Sequence, residues 1–188
     1  MLDGNQDSKK DHENVQTSYL FDGLGRLTNE TEFVPAGARG QSVAQTVSKS
    51  YTFNTAGNRA TMAVATTGGT TPENYSVQYQ YDGNNRLLTE IKTPVSGAAV
   101  TTTYTHDPNG NQTLKQVSGT GVTEARSYDT FNRLTGVNSG SVNATYLYRP
   151  DNMRLSKNVN GQRTTHIWDG GNITPRLHAC YRQTHIGM

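Results

Sequence analysis

One column constrains this chain more than any other feature. A short stretch recurs along it, and when an aromatic is placed at position zero, the fourth residue after it is always Gly or Asn. The first copies read Phe21-Asp22-Gly23-Leu24-Gly25-Arg26-Leu27, Phe53-Asn54-Thr55-Ala56-Gly57-Asn58-Arg59 and Tyr81-Asp82-Gly83-Asn84-Asn85-Arg86-Leu87. Four more begin at His106, Tyr128, Tyr148 and Trp168, and put Gly110, Asn132, Asn152 and Asn172 in that column. The opening residues LDGNQ match the end of a further copy, with Gly4 in the column. Gly and Asn tolerate positive φ at little cost, so the column predicts a left-handed corner in every copy. Position one is Asp or Asn in six of the seven complete copies, Arg149 being the exception. Such a side chain accepts from the backbone N–H groups that follow it. Asx, two free residues and a left-handed residue make a type I turn closed by a bulge, a common hairpin tip.

Before the turn, aromatics stand at i and i+2: Tyr19/Phe21, Tyr51/Phe53, Tyr79/Tyr81, Tyr104/His106 and Tyr146/Tyr148. Arg126/Tyr128 and His166/Trp168 depart from the doublet but keep its spacing. In a strand such pairs share a face. A second set of turn signals, Thr67-Gly68-Gly69, Ser96-Gly97, Ser139-Gly140 and Asn160-Gly161, sends the chain back. Each copy therefore reads as two hairpins of an all-β antiparallel meander, stabilised by tyrosines stacked across strands. Position zero recurs at intervals of 32, 28, 25, 22, 20 and 20 residues, and the variation falls in the second tip and its flanks.

Composition agrees with a strip more readily than with a two-layer core. Leu, Ile, Val and Phe contribute 32 of the 188 residues, or 17%, while the formal charge is only +2. So lean a supply of apolar side chains fills one face of a ribbon better than the two inner faces of a sandwich. No basic run marks a nucleic-acid surface, and no apolar stretch approaches the roughly 20 residues of a membrane span. The first residues, MLDGNQDSKKDHENV, lack the apolar centre of a signal peptide. One cysteine, Cys180, leaves no internal disulfide framework. An isolated array with open edges is expected to be marginally stable and prone to edge pairing.

The copies, most clearly Tyr81-Asp82-x-x-Asn85-Arg86-Leu87 and the stretch YLYRPDNMRLSKNVNGQRTTHIWDGGNI at 146–173, resemble the tyrosine–aspartate (YD) repeats of the Rhs family, which also occur in teneurins and toxin-complex cocoon subunits. The resemblance covers about residues 2–174 and implies a β-strip that spirals into part of a hollow shell. In bacterial members that shell encloses a variable C-terminal toxin or effector domain. The expected organisation is a repeat array over 1–174, with its first copy truncated, and a divergent, disordered tail over 175–188, TPRLHACYRQTHIGM from Thr174 onward. The family's core-closing segment, with its Asp-Pro-x-x-Gly elements and aspartyl self-cleavage site, is not in this sequence, so the chain reads as a fragment of a longer array.

The resemblance makes the expected role structural: a segment of a secreted or cell-surface shell that encloses, displays or delivers another domain. The partners would be further repeats and that domain. The aromatics Tyr19, Phe21, Tyr51, Phe53, Tyr79, Tyr81, Tyr104, Tyr128, Tyr146, Tyr148 and Trp168 build the strip. Gly25, Gly57, Asn85, Gly110, Asn132, Asn152 and Asn172 build its tips. The alternative is a carbohydrate-binding adhesion module, with the aromatic faces stacking on cell-surface glycans. Arg26, Arg59, Arg86, Arg133 and Arg154 form a basic ladder for an acidic partner or, more simply, pair with nearby Asp or carbonyl groups. His178, Cys180 and His185 are zinc ligands by type, but the spacing fits no familiar module and a fourth ligand is not evident, so no metal or cofactor is expected. DGNQD at 3–7 lacks the closing glutamate of an EF-hand loop, Asn14 standing there. Glycosylation-pattern triplets such as Asn29-Glu30-Thr31 follow from an Asn- and Thr-rich chain. With no phosphate loop, no G-x-S-x-G and no supported carboxylate pair, an enzyme is not expected.

Overall fold

Alternating burial along each aromatic strand is the clearest signature of the architecture. In the strand Gln16–Phe21, Thr17 is 1% exposed while Leu20, on the other face, is 63% exposed. The computed structural model describes residues 5–70, 72–121, 123–169 and 172–177. It is an all-β antiparallel meander in which strand order is sequence order. The chain divides into two compact units, Met1–Thr103 and Tyr104–Met188.

The first unit contains β1 (Ser8–Lys10), β2 (Gln16–Phe21), β3 (Leu27–Val34), β4 (Gln45–Phe53), β5 (Arg59–Gly68), β6 (Tyr75–Tyr81) and β7 (Leu87–Pro94), and the boundary falls within β8 (Val100–His106). A single 3-10 turn, Ala38–Gly40, lies between β3 and β4. Ala38 packs with Val15 and Val34 into a small buried cluster. Arg39, itself at φ 48, ties Asp11 at 3.0 Å and Glu32 at 3.1 Å over it.

The second unit contains β9 (Gln112–Val117), β10 (Thr123–Tyr128), β11 (Leu134–Ser139), β12 (Val142–Tyr148), β13 (Arg154–Val159), β14 (Gln162–Asp169) and β15 (Asn172–Leu177). β15 runs to Leu177, so three residues of the expected tail are paired strand, opposite β14. Residues 178–188, the rest of that tail, lie outside the described residues.

The register explains which face is sheltered. Tyr19 faces Glu30, and Glu30 faces Lys49. Tyr79 faces Glu90, and Tyr146 faces Lys157. Each aromatic strand is followed by a return strand, so aromatics of successive copies stand two strands apart, about 9.6 Å. That exceeds the roughly 4.5–5.5 Å of a cross-strand pair. The expected tyrosine-on-tyrosine ladder is therefore not how the strip is held. Val77 and Ala144 are nevertheless buried, at 2% and 3% exposure.

Candidate functional site

The repeated tip is the most elaborate local construction in the molecule. In six copies the N–H of position one donates to the carbonyl of position five at 2.8–3.0 Å, and the N–H of position four returns to the carbonyl of position one at 2.9–3.0 Å. This geometry needs a left-handed residue at position four. Gly25, Gly57, Asn85, Gly110, Asn132 and Asn152 sit there at φ between 60° and 91°. The seventh copy is built differently. Trp168 pairs with Ile173 and Asp169 with Asn172, which places Asn172 in β15; residues 170–171 lie outside the described residues.

The Asx side chain completes the tip. Asp82 Oδ1 accepts from the N–H groups of Asn84 and Arg86, each at 2.9 Å. Its Oδ2 accepts from Arg86 Nε at 2.6 Å. Asp22 with Arg26 and Asp129 with Arg133 repeat the pattern, and Asp107 with Asn111 substitutes an amide for the guanidinium. All four carboxyls are held below the usual Asp range. For Asp22 and Asp82 the largest cause is the N–H of the position-five Arg; for Asp107 it is the Asn111 side chain. Burial pushes Asp129 up, but the Arg133 backbone and side-chain donors outweigh it. Arg26, Arg86 and Arg133 are thus paired within their own tips rather than arrayed as a ladder. Arg59 and Arg154 stand one position later and lie over the rings of Tyr51 and Tyr146, 4.5 and 5.7 Å from the centroids.

Contacts between copies form a second repeating set. The polar atom of the position-zero aromatic donates to the carbonyl of position six in the copy before. Tyr81 Oη reaches the Arg59 carbonyl at 3.0 Å, Tyr128 that of Gln112 at 3.1 Å and Tyr148 that of Leu134 at 2.9 Å. Trp168 Nε1 does the same to Arg154 at 2.9 Å. Phe53 has no such atom and lies under the Arg26 guanidinium, 4.5 Å from its centroid. Where position four is Asn, its Oδ1 accepts from position five of the preceding copy: Asn58 to Asn85 at 2.7 Å, Asn111 to Asn132 at 2.8 Å, Arg133 to Asn152 at 3.0 Å. Asn therefore does two things in that column where Gly does one.

A tip that the aromatic column could not mark lies between β1 and β2. Asp11 Oδ1 accepts from Glu13 N–H at 2.9 Å and Val15 N–H at 3.0 Å, and Asn14 is left-handed at φ 63. Only the Asp11-x-x-Asn14 spacing signals it, because Lys10 occupies position zero. Tyr19, Phe21, Tyr79 and Tyr104 are half-buried, each within its own unit. Gly4, His178, Cys180 and His185 lie outside the described residues. Among the described residues, no three His, Cys, Asp or Glu side chains gather as a metal site, and no helix is long and apolar enough to cross a membrane.

No known protein family matches the sequence, and no curated protein does. The fold is similar to that of a solved chain described as TcdB2-TccC3 without hypervariable C-terminal region, with a TM-score of 0.60 at 14% identity. That match covers 82% of this chain but only 9% of the other, so this chain spans a small part of its length. Chains of the Photorhabdus luminescens Tc holotoxin pore (TM-score 0.46, 16% identity, 86% and 11% covered) and of a porin-like protein from Bacteroides uniformis (0.42, 14%, 86% of each) match at scores too low to define a shared fold. At 14% identity the likeness to TcdB2-TccC3 is one of fold alone.

Proposed function

We propose that this chain is a non-catalytic scaffold, a stretch of YD-repeat strip in a longer secreted or cell-surface protein. Its work is to enclose, display or deliver a further, C-terminal domain. The observation that carries the reading is the use made of the repeated side chains. Position-zero aromatics spend their polar atoms on the carbonyl of the preceding copy, and tip carboxylates spend theirs on their own turn. Groups committed in this way to holding copies together suit a wall. The likeness of fold to TcdB2-TccC3 agrees with that reading.

The glycan-binding alternative needs open ring faces, and several are occupied. Arg59 lies over Tyr51, Arg154 over Tyr146 and Arg133 over Tyr148, the last at 5.0 Å. A glycan array probed with the full chain and with a Tyr79→Ala/Tyr81→Ala double variant separates the two. The scaffold reading expects no glycan bound by the parent and a loss of β-sheet signal in the variant. Glycan binding by the parent that vanishes in a still-folded variant overturns it. Enclosure has its own test. The reading frame on either side is sequenced and the whole product is treated with protease; a C-terminal domain cut as fast as an unfolded control defeats the proposal.

A further inference from the structure

Opposite the tyrosine that stands two residues before position zero, two of the first unit's three complete copies carry glutamate, Glu30 facing Tyr19 and Glu90 facing Tyr79; in the third, Tyr51 faces Met62 and its hydroxyl reaches Glu30 at 3.5 Å. In the second unit the same register position is Lys157, facing Tyr146. Arg154 lies over that tyrosine, and His166 takes the tyrosine's place in the next copy. Among the described side chains, no acid forms an ion pair with Arg154 or Lys157. From Leu134 to Tyr148 the sequence has no Asp or Glu, and from there to Trp168 only Asp151, which Arg149 holds at 3.0 Å. On β10, Glu124 is taken by Arg126. In the first unit Lys49 is matched by Glu30 and Arg39 by Glu32, while Arg59 lies over the Tyr51 ring.

A second observation points to a missing partner. His166 is 8% exposed, and neither of its ring nitrogens has a hydrogen-bond partner; Arg154 Nε is likewise buried without one. Folded proteins pair nearly all such groups, because an unmet buried donor forfeits its hydration for nothing. Burial, then the charges of Arg154 and Lys157, keep the imidazole neutral, so it has one N–H to give.

We propose that Arg154, Lys157 and His166 form a carboxylate-binding site on the sheltered face of the second unit, which takes Asp or Glu side chains of an acidic polypeptide segment. The guanidinium offers planar donors that match two carboxylate oxygens, and the Lys157 ammonium is a mobile charge beside it. Arg154 and Lys157 are half-buried and swing to admit the ligand, while Trp168, bonded to the Arg154 carbonyl, borders the site. The identity of the ligand as polypeptide rests on the scaffold reading, in which a face of the strip lies against an enclosed chain. The basic site itself does not.

Trp168 is the sole tryptophan, so its fluorescence in the full chain reports on the site. The probes are a short glutamate-rich peptide, a lysine-rich peptide of equal length, and inorganic phosphate. The acidic peptide should give a saturable change and the lysine peptide none. Arg154→Gln keeps the main-chain carbonyl and should weaken binding about tenfold, and Lys157→Gln about threefold. Arg59→Gln, in the first unit, should stay within about twofold. No response of the folded parent to the acidic peptide overturns the site. Phosphate binding as tightly as the peptide overturns the polypeptide ligand, and an equal loss in Arg59→Gln overturns the location. Circular dichroism checks each variant, and if Arg154→Gln unfolds, Lys157→Gln decides. Protease protection of a C-terminal domain is a separate readout, so the scaffold reading can fail or stand independently of this result.

Discussion

After the aromatic strand in six described copies the chain reverses in the same five residues, whereas after the return strands it reverses in as few as two and as many as ten. The two kinds of tip face different demands. The five-residue tips fix a bulge just after the corner, as where Thr52 faces Thr61 but Phe53 faces Arg59. They also present positions four, five and six to neighbouring copies. Changing their length would misplace all three. The return-strand tips only have to close. Asn160-Gly161 does so with two left-handed residues, and residues 35–44 do so with a 3-10 turn folded over Val15 and Val34. Loop entropy grows slowly with length, so extra residues there cost little.

The strongest way to break this comparison is to delete one residue from each kind of tip. Removing Thr55 should shift β5 by one place, turn its sheltered side chains outward and cost more than about 3 kcal/mol. Removing Ser42, between β3 and β4, should cost less than about 1 kcal/mol. Urea midpoints for the two deletions that came out equal would erase the distinction. Tyr148→Phe comes next. It leaves the ring in place but takes the donor from the Leu134 carbonyl, for a loss of about 1 kcal/mol and a fall of about 2–4 °C in melting temperature.

Acid sharpens the comparison further. Asp22, Asp82, Asp107 and Asp129 have folded pKa values below their unfolded ones. Their contribution is therefore present above the unfolded value of about 3.9 and lost as pH falls through the lower folded values. The urea midpoint should fall modestly as pH drops below about 6.5, where unfolded His166 takes a proton that the buried one resists, and fall further below about pH 4 as the four carboxylates are protonated. Asp82→Asn keeps the acceptor for Asn84 and Arg86 N–H but loses the charge opposite the guanidinium. It should lower the neutral-pH midpoint slightly and flatten the acid limb; an unaltered limb would assign acid sensitivity elsewhere. The smallest effect belongs to Asn85→Gly, which gives up the Asn58 amide contact and eases the φ of 62, for a net change within about 0.5 kcal/mol. Asn85→Ala should be the worse of the two.

The meander itself was legible because its information is local. Aromatics at i and i+2 followed by Asx-x-x-Gly/Asn specify strand, face and reversal within eight residues, and Asn160-Gly161 does the same at the other kind of tip. What the sequence hid is which neighbour each side chain finds. Tyr148 is bonded to a carbonyl fourteen residues earlier, at the start of the adjacent return strand β11, and nothing near Leu134 advertises it. Counting aromatics suggested rings against rings; the return strand between them rules that out, and only the register reveals it. Asp11 was hidden for a simpler reason, since its tip carries Lys10 where a reader looks for an aromatic. The charge inversion from Glu30 and Glu90 to Lys157 is likewise visible only once the strands are aligned on their partners.

The latch at position zero grips peptide oxygen, an atom every residue supplies, so this contact does not depend on which side chain the preceding copy carries. Arg59, Gln112, Leu134 and Arg154 all serve equally as the catch. Copies are in that sense interchangeable. A gene encoding such a strip can gain or lose whole modules by in-frame duplication or deletion, and this latch forms again at the new junction.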